Sequence, residues 1–501
     1  MNPDFSEGTQ ISNFKFLISN FQNMNYKTSI LSKIESNTEV VGIIGLGYVG
    51  LPLAVNFAET GIKVIGFDKS ESKVNKINSG ENYIKDIRDA VLREVVDRVK
   101  LEATTDFTRM KECDALIICV PTPLDKFRKP DMSYIEASCI AIGQYMKPGT
   151  FVSLESTTYP TTTEDFMLPV IEKESAKNKN NWSASGFLPL ANGNHDNNDN
   201  PNKNDNHDNL TTSAFRHGTD FWLAYSPERV DPGNKTFHTK NTPKVLGAMT
   251  PDGLEIGMAL YKKAIDHIYP VSSPRVAEMV KILENTYRLV NISLINELAL
   301  LSGKMGINIW EVIDAAKTKP FGFQAFYPGP GIGGHCIPLD PFYLEHIAKR
   351  FDFDLSMIHA AGHINMRMPH YMYIKIATAL NSHKKAVNGS NVLFLGVAYK
   401  PNIDDERESP ALEIMDITAR KGGIISYNDP HIPQVQTHYS ASLGEHYRSI
   451  PLTAETLQKA DCVVLTTNHD AFDIEFIKEH AKMIVDMRNM VKESSDKVYK
   501  L

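Results

Sequence analysis

The chain has 501 residues, of which 42% are hydrophobic and 23% are charged, and its formal net charge at pH 7 is -7. This length is too great for one hydrophobic core and predicts two or three domains. The acidic balance argues against binding to nucleic acid, and no apolar run approaches the roughly 18 residues that membrane insertion needs. The N-terminal stretch lacks the features of a signal peptide, so we expect a cytoplasmic protein.

Residues 1–38 are predicted to form an N-terminal extension that is helical or loosely ordered. From residue 39 to residue 272, apolar strand-like runs alternate with helix-like segments, which indicates a doubly wound parallel sheet of the Rossmann type. The segment 176–213 is rich in asparagine and poor in apolar groups. It is predicted to be a surface insertion without regular structure, because it cannot bury enough apolar area to offset its chain entropy.

The first strand of this sheet runs into "GLGYVG", which places Gly45, Gly47 and Gly50 in the spacing of a dinucleotide-binding turn. The first glycine permits the bend, the second lets a pyrophosphate approach the backbone, and the third lets helix pack on strand. Asp68 ends the next strand, where a carboxylate binds a ribose diol and disfavours a 2′-phosphate. The pattern predicts NAD as the cofactor. The alternative is a glycine-rich turn that binds no ligand.

Another strand ends at "VPTP", on the carboxyl side of the sheet where ligands bind in folds of this type. Thr122 in this stretch is a candidate for holding a water or the nicotinamide edge. A simple turn after a strand is the alternative interpretation.

Residues 273–388 are predicted to form a central helical domain that begins with one long helix. Its apolar residues recur at helical spacing on more than one face, which is typical of a helix that packs against another domain or subunit. A homodimer through this helix is therefore expected. Lys281, Asn285 and Arg288 lie at i, i+4 and i+7 and share one face. This stripe suits an anionic oxygen and a phosphate-bearing substrate, and a solvated polar face is the alternative.

The stretch "GPGIGGHCIPLDP" sets Cys336 just after a run of glycines. The five cysteines form no CxxC pair, so neither a disulfide framework nor a metal site is predicted. Cys336 differs from the other four because the backbone before it lacks side chains, which lets another molecule come close. A reactive thiol together with a nicotinamide site indicates a thiohemiacetal that loses hydride, becomes a thioester and is cleaved by water.

Strands and helices alternate again after residue 388, and residues 389–501 are predicted to form a second Rossmann-like sheet of the nucleotide-binding type. The predicted fold class is α/β, with two doubly wound parallel-sheet domains joined by a long central helix.

These stretches together resemble the UDP-glucose/GDP-mannose dehydrogenase family, whose members are NAD-dependent four-electron nucleotide-sugar 6-dehydrogenases. The resemblance covers almost everything from residue 39 onward, and the matching motifs are most similar to those of the branch that acts on UDP-N-acetylglucosamine. UDP-glucose, UDP-N-acetylmannosamine and UDP-N-acetylgalactosamine are the alternative substrates, and capsule or cell-surface polysaccharide synthesis is the implied process. The matching stretches are "VVGIIGLGYVGLPLA", "VPTPLD", "LESTTYP", "YSPERVDPGN", "KILENTYRLVNI", "FYPGPGIGGHCIPLDPFYL", "GVAYKPNIDDERESPA" and "VDMRN".

The resemblance implies that the domain of residues 389–501 binds the UDP-sugar, and it implies roles for individual residues. Cys336 matches the family's nucleophile, and Lys281 matches the lysine that steadies developing negative charge and assists proton transfer. Asn285 and Asp340 match catalytic helpers.

Glu228 in "SPER" matches the carboxylate that orients or activates the hydrolytic water with Thr122. Arg488 in "DMRN" is implied to approach one of the two nucleotides. The remaining cofactor positions implied by the resemblance are Tyr48, Val49, Asp68, Lys73, Thr157 and Arg407, with Thr122 again among them. The substrate positions are Glu228, Arg229, Val230, Lys281, Asn285, Arg288, Gly333 and Lys400.

Two residues depart from the family pattern. Thr161 stands where many relatives have glycine, and Gly322 stands where some place an arginine toward the sugar nucleotide across the subunit interface. Two rival functions are a two-electron dehydrogenase that needs no cysteine nucleophile and a catalytically silent protein that binds nucleotide sugars.

Overall fold

The structure is a computed structural model that divides into two compact units, Met1–Lys281 and Ile282–Leu501. The residues that it describes are 25–84, 87–123, 129–184 (the backbone alone from 179), 214–231, 234, 236–334, 337–435, 447–493 and 495–501.

Unit 1 is built on a sheet whose strands alternate with helices. Its helices are α1 (Tyr26–Ser36), α2 (Gly50–Glu59), α3 (Glu71–Asn78), α4 (Asp89–Asp97), α5 (Ser133–Tyr145), α6 (Leu168–Ala184) and α7 (Pro251–Ala264). Its strands are β1 (Val40–Ile44), β2 (Lys63–Phe67), β3 (Leu101–Thr104), β4 (Ala115–Ile118), β5 (Thr150–Leu154), β6 (Phe221–Tyr225), β7 (Lys244–Ala248) and β8 (Ile268–Val271).

The strand order of this sheet is β3-β2-β1-β4-β5-β6-β7-β8. β1 pairs in parallel with both β2 and β4, so the order of the strands reverses beside β1. In open α/β sheets ligands bind at such a reversal, outside the carboxyl ends of the strands. The strands β4 and β5 are buried along their whole length, which explains their continuous apolar sequences. The Rossmann-like architecture predicted from the sequence is confirmed.

The pairing of β6 with β7 is antiparallel, unlike the other pairs of described strands in this sheet. A parallel pair needs a crossover, usually a helix, to return the chain to the same end of the sheet. In the described part of the connection, residues 226–231, 234 and 236–243, no helix is present to carry the chain across. The chain therefore enters β7 from the end of the sheet at which β6 finishes.

The segment predicted to lack regular structure begins inside a helix. Helix α6 continues to Ala184, so the prediction was wrong for residues 176–184, and residues 185–213 lie outside the described part of the chain. The amide of Asn178 donates to the carbonyl oxygens of Gly143 (3.2 Å) and Met146 (2.7 Å) at the end of α5. Packing on α5 therefore stabilises this polar helical turn, which composition alone does not reveal.

Unit 2 contains a second sheet and most of the long helix. Its helices are α8 (Pro274–Met305, which begins in unit 1), α9 (Ile309–Ala316), α10 (Asp340–Ala348), α11 (Ser356–Ser382), α12 (Pro410–Arg420), α13 (Ala454–Lys459) and α14 (Ile474–His480). Its strands are β9 (Asn391–Leu395), β10 (Ile424–Asn428), β11 (Gln434–Val435), β12 (Tyr447–Arg448), β13 (Cys462–Leu465), β14 (Ile484–Asp486) and β15 (Val498–Lys500).

The second sheet has the order β10-β9-β13-β14-β15, and its described neighbours are parallel, while β11 and β12 form a separate antiparallel pair. Two doubly wound sheets and the long helix α8 are thus present, as the sequence predicts, but the first sheet is not wholly parallel, because β6 and β7 are antiparallel. The domain limits predicted at residues 38, 272 and 388 stay predictions. Among the helices of the described ranges, none combines the length and the apolar character that crossing a membrane requires.

The segment after β5, which enters a short π-helix (Thr162–Met167), is clamped by a buried carboxylate on α8. Glu278 accepts hydrogen bonds from the N–H of Thr161 (2.7 Å) and from the N–H (3.0 Å) and hydroxyl (2.7 Å) of Thr163. Burial raises the pKa of Glu278 to about 7, although these donors oppose the shift. Thr161 has φ of 85°, in the left-handed region that favours glycine. Its buried hydroxyl has no hydrogen-bond partner among the described residues.

Replacing Thr161 with glycine is expected to stabilise the protein. Glycine relieves the left-handed strain of a β-branched residue and removes an unsatisfied hydroxyl, and it keeps the N–H that donates to Glu278. We expect a gain of about 1 kcal/mol and a rise in the thermal midpoint of roughly 2 °C. Thr163→Val, which removes a donor to Glu278, is the contrasting control and should lower the midpoint. A Thr161→Gly variant that melts below the wild-type protein would contradict the account.

Candidate active site

Two glycines of the turn after β1 are required by the fold itself. Gly45 has φ of 92°, and a Cβ there would lie 2.7 Å from the carbonyl oxygen of Cys119. A Cβ on Gly50 would collide with the carbonyl oxygen of Gly45. A side chain at Gly45 would therefore push the turn away from the end of β4, and a side chain at Gly50 would push the start of α2 away from the turn.

The middle glycine of the same turn has a different environment. A Cβ on Gly47 would meet no atom of the described structure within 4 Å, so packing does not require glycine at this position. Tyr48 beside it is 52% exposed. Val49 is the N-cap of α2, and its side chain makes no capping bond to the helix N-terminus. This combination fits the pyrophosphate of a dinucleotide, which needs a bare backbone and a helix N-terminus.

Asp68 is oriented by the glycine turn. One carboxylate oxygen accepts the N–H of Leu46 (3.0 Å), and the other accepts the N–H of Ser70 (2.9 Å). Lys73, predicted to contact the cofactor, lies with its ammonium 3.2 Å from Asp68. An ionised carboxylate has about four acceptor positions, so capacity remains for a ribose hydroxyl. The residues of this edge therefore fit NAD.

Two further predicted cofactor residues follow neighbouring strands at the same edge. Thr122 comes after β4 and is buried, and Thr157 comes after β5 and is half-buried. β4 and β5 pair in parallel, so their carboxyl ends point to the edge that carries Gly45. The structure thus gathers the predicted cofactor positions of unit 1 along one edge of the sheet.

Two predicted catalytic residues are in contact in unit 1. The ammonium of Lys281 donates to the main-chain oxygen of Glu228 at 2.7 Å. One carboxylate oxygen of Glu228 accepts the N–H groups of Arg229 (2.7 Å) and Val230 (2.8 Å). The guanidinium of Arg229 donates to the carbonyl oxygen of Pro243 at 2.8 Å. The segment after β6 is therefore tied both to α8 and to the residue that precedes β7.

A charged pair behind Glu228 is absent from the sequence-based predictions. The ammonium of Lys244 lies 2.6 Å from the carboxylate of Glu155 and 3.8 Å from that of Glu228. Burial raises the pKa of Glu155, with Glu228 acting in the same direction. Burial lowers the pKa of Lys244, but the two carboxylates outweigh this effect and raise it. The sequence indicates this pair only through one charged residue at one end of each of two apolar stretches, "TFVSLES" and "PKVLGAM".

In unit 2 the structure brings together two other predicted catalytic residues. The amide of Asn285 on α8 donates to the carboxylate of Asp340 at the start of α10, at 2.5 Å, and both residues are buried. Lys281 is buried as well, whereas Arg288 is exposed. The alternative of a wholly solvated polar face is therefore wrong for the first two positions of the stripe. The predicted nucleophile, Cys336, lies outside the described residues.

The glycines before Cys336 accommodate the chain's own side chains. A Cβ on Gly333 would lie 2.6 Å from the Cβ of Tyr399, and one on Gly334 would lie 2.7 Å from the Tyr399 ring. Gly334 also has φ of 82° and donates its N–H to the carbonyl oxygen of Arg407 at 3.0 Å. The bare backbone was expected to let another molecule approach. At Gly333 and Gly334 it is Tyr399 of the same chain that does so.

The loop that carries Tyr399 also carries two predicted ligand residues. Lys400 is half-buried. Arg407, predicted to contact the cofactor, lies in unit 2 and pairs with Asp405 at 2.6 Å.

Arg488, which follows β14, is a half-buried cation. Its guanidinium donates to the carbonyl oxygen of Thr466 at 2.9 Å, and burial lowers its pKa to about 10. Among the described residues no carboxylate lies within ion-pair distance of Arg488, an environment that suits an anionic ligand.

The dinucleotide edge of unit 1 is typical of an oxidoreductase with a nucleotide cofactor. Three family models match the chain in order: the NAD-binding domain (residues 39–265), the central domain (275–367) and the UDP-binding domain (393–493) of the UDP-glucose/GDP-mannose dehydrogenase family. The chain belongs to this family. It is an NAD-dependent UDP-sugar dehydrogenase.

Several named relatives match nearly the whole chain. A UDP-N-acetyl-D-mannosamine dehydrogenase of Pyrococcus horikoshii is 33% identical over 90% of this chain and 96% of its own length. A UDP-N-acetyl-D-glucosamine 6-dehydrogenase of Pseudomonas aeruginosa is 32% identical over 86% of this chain and 91% of its own. The solved structure of a UDP-D-ManNAc dehydrogenase from Pyrococcus horikoshii matches with a TM-score of 0.76 at 30% identity, covering 92% of this chain and 98% of that one.

Alanine substitutions at Gly47 and Gly50 are expected to affect different properties, NAD binding and stability respectively. Gly47→Ala fills open space where the pyrophosphate approaches, so it should raise the KM for NAD by about tenfold or more and leave the thermal midpoint unchanged. Gly50→Ala collides with the backbone and should lower the thermal midpoint. NAD titrations and thermal melts of both variants give the comparison. Loss of stability in the Gly47 variant, with NAD affinity intact, would refute the role assigned to the open space.

Proposed function

We propose that the chain oxidises the C6 alcohol of a UDP-sugar to the carboxylate in two steps, and that the sugar is N-acetylglucosamine. The observation that carries the proposal is the contact between Lys281 and the main chain of Glu228, which joins two predicted catalytic positions within a unit that fits NAD. The buried pair of Asn285 and Asp340 supports it from unit 2.

The first oxidation converts the alcohol to an aldehyde. The glycine turn and Asp68 would hold NAD, which would supply the acceptor for the hydride that leaves C6. A base, which is Lys281, Asp340 or an ordered water, removes the hydroxyl proton. The thiolate of Cys336 then attacks the aldehyde carbon, a C–S bond forms, and the oxygen becomes the alkoxide of a thiohemiacetal. The ammonium of Lys281 stabilises this negative charge.

The second oxidation and hydrolysis complete the reaction. Loss of a second hydride from C6 turns the thiohemiacetal into a thioester, so two NAD are reduced for each sugar nucleotide. Glu228, with Thr122, orients a water and accepts its proton as the oxygen attacks the thioester carbon. A C–O bond forms, the C–S bond breaks, and the thiolate of Cys336 leaves with the bonding pair.

Two sequence motifs support N-acetylglucosamine as the sugar. The "SPERVDPGN" stretch and the long glycine-cysteine stretch resemble the branch that acts on UDP-N-acetylglucosamine. Relatives named for N-acetylmannosamine and for N-acetylglucosamine are nearly equally identical to this chain. UDP-N-acetylmannosamine, UDP-N-acetylgalactosamine and UDP-glucose are the alternative substrates.

The stoichiometry of NADH tests the proposed reaction. With UDP-N-acetylglucosamine we expect two NADH per sugar consumed, an acidic product, and a higher initial rate than with the three alternative sugars. Cys336→Ser should lose almost all formation of the acid because serine gives no thioester, and Cys139→Ser, at a buried cysteine, is the matched control. One NADH per sugar, or an unimpaired Cys336→Ser variant, would favour a two-electron dehydrogenase. No NADH with any sugar would favour a silent binding protein.

A homodimer through α8 is also proposed. Large apolar residues are exposed along this helix at spacings of three, four and seven, so they form one continuous stripe. An apolar stripe of this length on a helix marks a protein interaction surface. The stripe residues within unit 2 are Leu283, Tyr287, Leu294, Leu298, Leu301 and Met305.

Charged substitutions in the middle of this stripe test the dimer. We expect the wild-type protein to sediment as a dimer and the double variant Leu298→Glu/Leu301→Glu to sediment as a monomer, because burying two carboxylates at an interface is costly. Glu297→Gln, at an exposed position beside Leu298, is the control. A double variant that stays dimeric would place the interface elsewhere.

A further inference from the structure

The ion pair of Glu155 and Lys244 is sealed inside unit 1. Its side chains are 0% and 5% exposed, and their charged atoms are 2.6 Å apart. Glu155 directly follows β5 and Lys244 begins β7, with β6 between these two strands in the sheet. Burying such a pair is expensive, and apolar residues of the same size are often at least as stable. The pair therefore calls for an explanation other than stability.

Glu155 is held from behind. The hydroxyl of Tyr261 on α7 lies 2.7 Å from one carboxylate oxygen of Glu155 and 3.0 Å from the hydroxyl of Ser153. The other carboxylate oxygen of Glu155 accepts from Lys244. Each oxygen of Glu155 thus has a fixed partner, and the ammonium of Lys244 is fixed in turn.

The opposite side of Lys244 faces the active site. Its ammonium lies 3.8 Å from one carboxylate oxygen of Glu228, which is 16% exposed. The other oxygen of Glu228 is the one bound by two backbone N–H groups. Both oxygens are therefore constrained, one by the backbone and one by a cation that has no freedom to move away. A general base must lie within hydrogen-bond reach of the water that it activates, so this constraint bears directly on its function.

We propose that Lys244, anchored by Glu155, is a positioning residue that holds the carboxylate of Glu228 for the attack of water on the thioester. The inference rests on the proposed function and adds residues for which that function has assigned no role. Lys244 contacts neither the thioester nor the water. It acts through Glu228, so its removal slows hydrolysis and leaves both hydride transfers in place.

A charge-free double variant, Glu155→Gln/Lys244→Gln, separates this role from a structural one. Replacing both partners with amides leaves no lone buried charge, which is the main cause of destabilisation when only one partner is removed. Lys240→Gln, at an exposed lysine of the same segment, is the matched control. Stopped-flow absorbance follows NADH, and intact-protein mass spectrometry follows sugar nucleotide attached to the enzyme.

The expected result is a burst of two NADH per active site, followed by steady turnover about 10- to 100-fold slower than in the wild-type enzyme. Enzyme bearing the sugar nucleotide should accumulate during this slow phase. The control should show neither effect. Wild-type turnover by the double variant, or slow turnover without accumulated adduct, would overturn the proposal.

A second variant covers the case in which the double variant fails to fold. Tyr261→Phe keeps both charges and removes only the hydroxyl that anchors Glu155, so a smaller accumulation of adduct is expected and its absence counts against the proposal. The NADH count of the wild-type enzyme tests the proposed function separately. If that count is two and no variant accumulates adduct, the proposed function stands and the role of Lys244 falls.

Discussion

Parallel pairing around β1 is the constraint on which the cofactor site depends. Because β1, β2, β4 and β5 run in the same direction, their carboxyl ends meet at one edge. The glycine turn, Asp68, Thr122 and Thr157 follow these four ends. Reversing any one of these strands would remove its residue from the edge. The antiparallel pair of β6 and β7 serves a related purpose, because it places the start of β7, with Lys244, at the end of the sheet where β6 delivers Glu228.

The two sheets use the same backbone arrangement for different purposes. Gly45 (φ 92°) and Gly396 (φ 88°) each follow the first strand of a sheet, and in each turn the next N–H donates to an aspartate after the neighbouring strand. Asp68 keeps capacity for a further donor. Asp429 is completely buried and is saturated by backbone donors and by His469 at 3.0 Å. The arrangement that fits a ribose in the first sheet is therefore closed by the protein's own groups in the second.

Several site residues were predicted because each has a local signature. The glycine spacing marks a tight turn between a strand and a helix, Asp68 ends an apolar strand, and the lysine and the asparagine are four residues apart on a helix. A sequence displays each of these patterns directly. The pair of Glu155 and Lys244 has no such signature. The two residues are 89 positions apart, and a single charge beside an apolar strand reads as an ordinary strand end. The helical turns at 176–184 were missed for a related reason, because their support comes from α5.

The sequence by itself determined the class of fold, the cofactor edge and the family, because these depend on short patterns whose physical meaning does not change with context. Only the tertiary structure decided which charges are buried and what each faces. Burial changes the free energy of a charge by several kcal/mol, and it depends on neighbours brought from distant parts of the chain. Lys281 on the main chain of Glu228, Lys244 behind its carboxylate and Tyr399 against the bare glycines are contacts of that kind.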